Sequence, residues 1–149
     1  MLKRFEQIIK KMPPNRTGLS LHELVTLASL VEGESVLDEE RSLIASVFLN
    51  RLRINMKLDS DATIQYLFDK RKDRVLYKDL EIKSPYNTYL NRGLPPGPIG
   101  SPGEASLRAV FEPAESKFFY FVAKKDGSGE HVFSRTREEH DANKRKLGY

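Results

Sequence analysis

The sequence predicts an α+β domain, with N-terminal helices, a long Pro/Gly/Tyr-rich loop, a late β-hairpin and a C-terminal helix. Three observations carry this reading. Apolar residues recur at helical spacing over residues 21–32 and again beyond Leu37. The stretch from Ser84 to Pro102 has no period and is rich in Pro, Gly, Tyr and Asn. The apolar run Phe118 to Ala123 is followed, after a glycine-containing turn, by His131-Val132-Phe133.

Ser20-Leu21-His22-Glu23 reads as a capping box, and Leu24, Leu27, Ala28 and Val31 then form one buried stripe. Gly33 reads as the C-cap of that helix, which places Glu32 in its last turn. A second helix is expected from Leu37 to Arg53, with Ile44, Val47, Phe48 and Leu52 as its apolar face. Asp59 or Ser60 caps a short third helix carrying Ile64, Tyr66 and Leu67. Residues 69–83 carry mixed charge and read as an exposed excursion, and the aromatic and proline content of Ser84 to Pro102 argues for an ordered loop. Ser101-Pro102-Gly103-Glu104, with Pro102 at the first helical position, opens a helix over Ala105 to Phe111. Phe118 to Ala123 is too continuous for a strand solvated on one face; Lys124 to Gly129 turns the chain into its partner. Thr136-Arg137-Glu138-Glu139 is a second capping box, opening a polar helix that ends near Gly148.

The chain has 149 residues, a single-domain length, and its 39% hydrophobic and 31% charged content is that of a globular protein. The absence of cysteine excludes a disulfide scaffold, a thiolate zinc site and a cysteine nucleophile. Three histidines in no ligand spacing leave no metal or cofactor expected. The longest apolar run falls far short of the ~20 residues a membrane span needs. The net charge of +4 is matched by residues 1–20 alone, where Lys3, Arg4, Lys10, Lys11 and Arg16 face only Glu6. Residues 1–19 therefore read as a basic leader set off by the breaker cluster Met12 to Gly18, either a solvated terminus or a segment that approaches an anionic surface. The near-neutral remainder argues against a nucleic-acid binder.

Two constellations could carry chemistry. Glu32 ends a helix whose other face is apolar, so partial desolvation would make it a proton donor of the kind glycan cleavage uses. An ordinary solvated acid beside a helix end is the alternative, for Glu32 and for Glu34. Asp61, Thr63, Gln65, Tyr66, Tyr86, Asn87, Thr88 and Tyr89 mix flat rings with hydrogen-bonding groups, as sugar binding requires. Gly127-Ser128-Gly129 lies between strands rather than before a helix and reads as a hairpin turn, not a phosphate loop.

Leu27-Ala28-Ser29-Leu30-Val31-Glu32-Gly33-Glu34, Glu40-Arg41, Ala45 to Leu52, Met56 to Tyr66, Ser84 to Tyr89, Gly93 to Ile99, Tyr120 to Ala123, Gly127 to Ser134 and Glu139-His140 occur in that order. These blocks resemble the YceG-like endolytic murein transglycosylases, over nearly the whole of residues 20–143. The resemblance implies a lyase that cuts nascent peptidoglycan between N-acetylmuramic acid and N-acetylglucosamine and leaves a 1,6-anhydro end. It implies Glu32 as the catalytic acid and base, with Asp61, Thr63, Gln65, Tyr86, Asn87, Tyr89 and His131 contacting substrate. It also implies peptidoglycan synthases as partners, action at the outer face of the bacterial cytoplasmic membrane, and residues 20–149 as the catalytic part of a longer, membrane-anchored protein. The sequence departs from the family pattern at Ala62, where proline is common, and at Gly33 and Ser35, where Lys and Thr are common. A non-catalytic peptidoglycan-binding module and a hydrolytic muramidase, with Glu34 or Asp61 as water-activating partner, are the competing expectations.

Overall fold

A computed structural model describes residues 2–149. The core forms around helix α2 (Leu21–Glu34), where Ser20 accepts from the Glu23 N–H at 3.1 Å and Glu23 accepts from the Ser20 N–H at 3.0 Å. Against it pack α3 (Arg41–Arg53), entered through a 3-10 turn over Asp38–Glu40, and α5 (Glu104–Phe111). Leu27, Leu30 and Val31 of α2, Ile44 and Phe48 of α3, and Leu107 and Val110 of α5 are fully enclosed. Each such side chain contributes about 1.5–3 kcal/mol by leaving water. Helix α1 (Leu2–Lys10) sets Phe5, Ile8 and Ile9 against the same core, so this part of the basic leader is a docked helix rather than a free tail. Among the described residues no helix is long and apolar enough to cross a membrane.

Strands β1 (Tyr120–Ala123) and β2 (His131–Ser134) pair antiparallel, Tyr120 opposite Ser134 and Ala123 opposite His131. Phe48 meets Phe121 edge-on at 5.7 Å, which ties the hairpin to α3. Helix α6 (Arg137–Lys146) covers the hairpin, and Asn143 donates to Ser134 Oγ at 2.8 Å. The helices, aperiodic loop and late hairpin form the expected α+β architecture.

Several boundaries differ from expectation, each for a physical reason. β1 begins two residues after Phe118 because carbonyls just before it are taken by α3: Asn50 donates to Ser116 and Phe118, and Arg51 to Phe119. Only Val122 of β1 is buried, so the strand is half-covered rather than enclosed on both faces. Pro102 is not the first residue of α5; Gly103 is the N-cap, and its N–H donates to Glu32 Oε1. At α6, Thr136 caps the Glu139 N–H, but Glu139 accepts from Arg135 N–H, so the box is only half closed. Within 69–83, a 3-10 turn over Tyr77–Glu81 buries Asp79, whose carboxyl Lys72 and the Leu76 N–H hold below its usual range.

Gly33 is not a C-cap: α2 continues to Glu34 and ends at Ser35. The glycine serves a close approach instead, since a Cβ there would lie 2.7 Å from the Cβ of Ala62 in the short helix α4 (Asp61–Gln65). Glu34 then caps α4 from α2, with Oε1 accepting from Ser60 Oγ at 2.6 Å and from the Ala62 N–H at 3.1 Å. Ser60, the N-cap residue, therefore does not cap with its own side chain.

Gly33→Ala should lower stability by about 1–2 kcal/mol in denaturant unfolding, because overpacking against a rigid methyl outweighs the helix-propensity gain of roughly 1 kcal/mol. Adding Ala62→Gly should recover most of that loss; no loss in the single variant would refute the contact. Burial pushes the Glu34 carboxyl above its usual range, against the lowering effect of Ser60 and the Ala62 amide. A carboxyl that titrates higher when folded stabilises the fold below its unfolded value, and that contribution fades as pH rises through the folded value. Glu34→Gln keeps an acceptor but cannot ionise. Its melting midpoint should therefore gain on the wild type as pH rises from the ordinary glutamate value of about 4.3 through the raised folded value; a gap independent of pH would contradict the burial argument.

Candidate active site

A groove runs past the C-terminal end of α2. Its first lobe, about 850 Å³, is lined by Ser29, Glu32, Gly33, Gln65, Tyr66 and Ile99 among others. A second lobe of about 410 Å³ continues toward α6, and both share Glu34, Asp61, Ala123 and His131.

Glu32 lies at the last turn of α2 with its side chain 39% exposed. It is not in the apolar setting the helix pattern implied. Oε1 accepts from the Gly103 N–H at 2.7 Å and Ser106 Oγ at 3.2 Å, and Oε2 from Arg41 Nη1 at 3.2 Å. Arg41 is buried, and it also donates to Ser106 Oγ at 2.8 Å and, through Nε, to Asp38 Oδ1 at 2.8 Å. Donors from α3, α5 and the α5 N-cap thus fix one carboxylate that still faces an open groove. A group that is oriented yet accessible is what proton transfer to a bound polymer needs.

The other expected residues separate into two groups. Asp61, at the start of α4, lines both lobes and accepts from the Tyr89 hydroxyl. Burial and the adjacent Asp61 push the Tyr89 phenol far above its usual range, so Tyr89 remains a donor. His131 borders both lobes; Glu40 Oε1 lies 2.8 Å from its Nδ1 and Glu40 Oε2 accepts from its N–H at 2.9 Å. Gln65 lines the first lobe, but both ends of its amide are engaged by the Lys72 backbone at 2.9 Å, so it braces the groove wall.

Thr63 and Asn87 do not reach the groove, and their reading as substrate contacts is corrected. Both are 0% exposed. Thr63 Oγ1 donates to the Ser60 carbonyl, and Asn87 donates to the carbonyls of Leu80 and Ile82 while accepting from the Tyr89 N–H. Tyr86 packs at 4.8 Å, tilted by 38°, against Tyr66, which lines the first lobe while Tyr86 does not. The residues that sequence reasoning missed are Arg41, Ser106, the Gly103 amide and Glu40. Arg41 and Ser106 stand 9 and 74 positions from Glu32. No periodicity links such positions, although Glu40-Arg41 belongs to the recurring blocks.

The chain's similarities converge on one family. The model of the YceG-like family matches residues 1–146. An endolytic murein transglycosylase of Bacillus subtilis is 48% identical over 136 residues, which is 91% of this chain and 37% of that protein. An endolytic murein transglycosylase of Streptococcus pneumoniae is 39% identical over 131 residues, 85% of this chain and 24% of that protein. The chain thus spans well under half the length of these curated relatives. The crystal structure of a yceG-like protein from Listeria monocytogenes superposes with a TM-score of 0.81 at 39% identity, covering 95% of this chain and 44% of that one. With a family match that runs nearly end to end and a shared fold at this identity, the chain belongs to the YceG-like family.

Proposed function

We propose that this chain is the catalytic unit of an endolytic lytic transglycosylase, acting on peptidoglycan strands outside the cytoplasmic membrane, with Glu32 as its acid and base. The observation that supports this best is the Glu32 carboxylate, held by three donors at the edge of a groove large enough for a glycan strand. The relatives named endolytic murein transglycosylase supply the substrate class. In this reading protonated Glu32 gives its proton to the oxygen joining C1 of N-acetylmuramic acid to the next sugar, and that C1–O bond breaks. The C6 hydroxyl of the same muramic acid attacks C1, and its proton passes to the Glu32 carboxylate. The 1,6-anhydro ring closes, no water is consumed, and the acid is restored. One carboxyl group serves both steps, so the second carboxylate of a hydrolase is not required. Asp61 and His131 border the strand, with Tyr89 donating to Asp61 from behind, and synthases of that strand are the partners this activity calls for.

Uncrosslinked glycan strands digested with the wild type should yield internal fragments ending in anhydro sugar by mass spectrometry. Glu32→Gln should reduce their formation by on the order of 10²–10⁴-fold. Reducing ends from the wild type would make the protein a muramidase, and binding without cleavage would make it a glycan-binding module. Arg41→Lys tests the clamp on Glu32, because an ammonium cannot reproduce the fork that reaches Glu32, Asp38 and Ser106 together. Its turnover should fall at least about tenfold with KM little changed, as expected when a reacting group loses its alignment. A change confined to KM would place Arg41 in strand binding instead.

A further inference from the structure

The second lobe of the groove has no part in that chemistry, yet it is built of charged and aromatic side chains. It leaves the first lobe at Asp61 and His131 and runs between the hairpin and α6 to Tyr149. Arg137, His140 and Lys144 all line it, at the i, i+3, i+7 spacing of a single helix face. His140 stacks on Tyr120 at 5.0 Å, and its Nδ1 is enclosed without a hydrogen-bond partner among the described residues. That nitrogen is closed off from the lobe as well as from solvent, so His140 meets the lobe only with the rest of its ring, held flat against Tyr120. Tyr149 closes the far end, its hydroxyl donating to the Ala123 carbonyl at 2.6 Å.

The charges in this lobe have both signs. Arg137 and Lys144 stand on α6, while Asp59 and Asp61 stand on the opposite side. Asp59 forms a 3.7 Å salt bridge with the deeply packed Arg51 and Asp61 accepts from Tyr89, whereas Arg137 has only an exposed i,i+4 pair with Asp141 at 3.2 Å and Lys144 has no salt bridge among the described residues. A polyphosphate would meet the two aspartates as well as the cations. A short peptide carrying a free carboxylate and an amine would be met at both ends. The shape points the same way, because the cavity branches and a peptidoglycan strand is a branched ligand: a linear glycan with a peptide on each muramic acid.

We infer that the second lobe binds the peptide stem of the muramic acid seated next to Glu32, with Arg137 and Lys144 taking a stem carboxylate beside the stacked His140 and Tyr120 rings. This rests on the proposed glycan substrate and extends it from the sugar to its peptide branch.

The test is the affinity of a GlcNAc–MurNAc tetrasaccharide with and without its peptide stems, measured by isothermal titration in the Glu32→Gln background so that the strand stays intact. The stem-bearing ligand should bind about tenfold more tightly, the size of one charge-assisted hydrogen bond. Arg137→Met with Lys144→Met should bring that ratio to about one, and Lys144→Met alone should lower it severalfold. Free stem peptide should compete with the stem-bearing ligand, whereas inorganic pyrophosphate should not. Equal affinities for the two tetrasaccharides would overturn this inference and leave the proposed function standing. Competition by pyrophosphate alone would overturn it in favour of a phosphate site. Failure of both tetrasaccharides to bind would overturn the glycan-substrate reading itself, and this inference with it.

Discussion

The Arg41 guanidinium is the group on which the arrangement of the groove depends. It is buried at the meeting point of α2, the 3-10 turn, α3 and α5, and its donors reach Glu32, Asp38 and Ser106. A charge withdrawn from water is costly unless every donor finds an acceptor of good geometry. All four elements must therefore keep their relative positions for the fork to be satisfied, and the apolar contacts of Leu27, Phe48 and Leu107 supply the stability that holds the helices there. Glu32 inherits this rigidity, since moving it would strip an acceptor from Arg41 and from the α5 N-cap at once.

The same device recurs around the groove. Glu34 caps α4 from another helix, Glu40 fixes His131 from the 3-10 turn, and Asp61 accepts from Tyr89 across 28 residues of chain. The aperiodic segment beyond Ser84 has no ladder to order it, and side chains take that role. Asn87 gathers the Leu80 and Ile82 carbonyls, Ser29 Oγ accepts from the Ile99 N–H at 3.0 Å, and His22 Nε2 meets the Pro96 carbonyl at 2.8 Å. Each bond removes a backbone group that would otherwise stand unpaired away from water. An irregular wall can in this way be as well defined as a helix.

Much of the fold was legible in the residues, because capping boxes and apolar stripes are local signals. Ser20 with Glu23 set the start of α2, and the Gly127-Ser128-Gly129 turn set the hairpin. Ends were less legible wherever a distant partner decided them. Gly33 has the residue type of a C-cap, but its lack of a side chain serves Ala62; Phe118 has the composition of a strand, but its carbonyl belongs to Asn50. In the groove, Asp61 and Tyr89 could be found because polar and aromatic residues cluster in short blocks, whereas His131 was carried by the family resemblance alone. Thr63 and Asn87 share that composition and are enclosed, since residue type does not distinguish a side chain that bonds a ligand from one that bonds its own loop. Arg41 and Ser106 carried no local signal, their role existing only once α2, α3 and α5 have packed.

Gly33 on α2 and Ala62 on α4 are neighbours. A Cβ at residue 33 would stand 2.7 Å from the Ala62 Cβ, so α4 could not seat this close to α2 if residue 33 carried a side chain. The chain brings α4 close, and that approach puts the Ala62 N–H within reach of Glu34 and sets Asp61 at the junction of the two lobes. The two residues act as one steric unit: Gly33 opens the space, and Ala62 occupies it with no more than a methyl group. Groove width beside Glu32 is thereby governed by side chains that perform no chemistry.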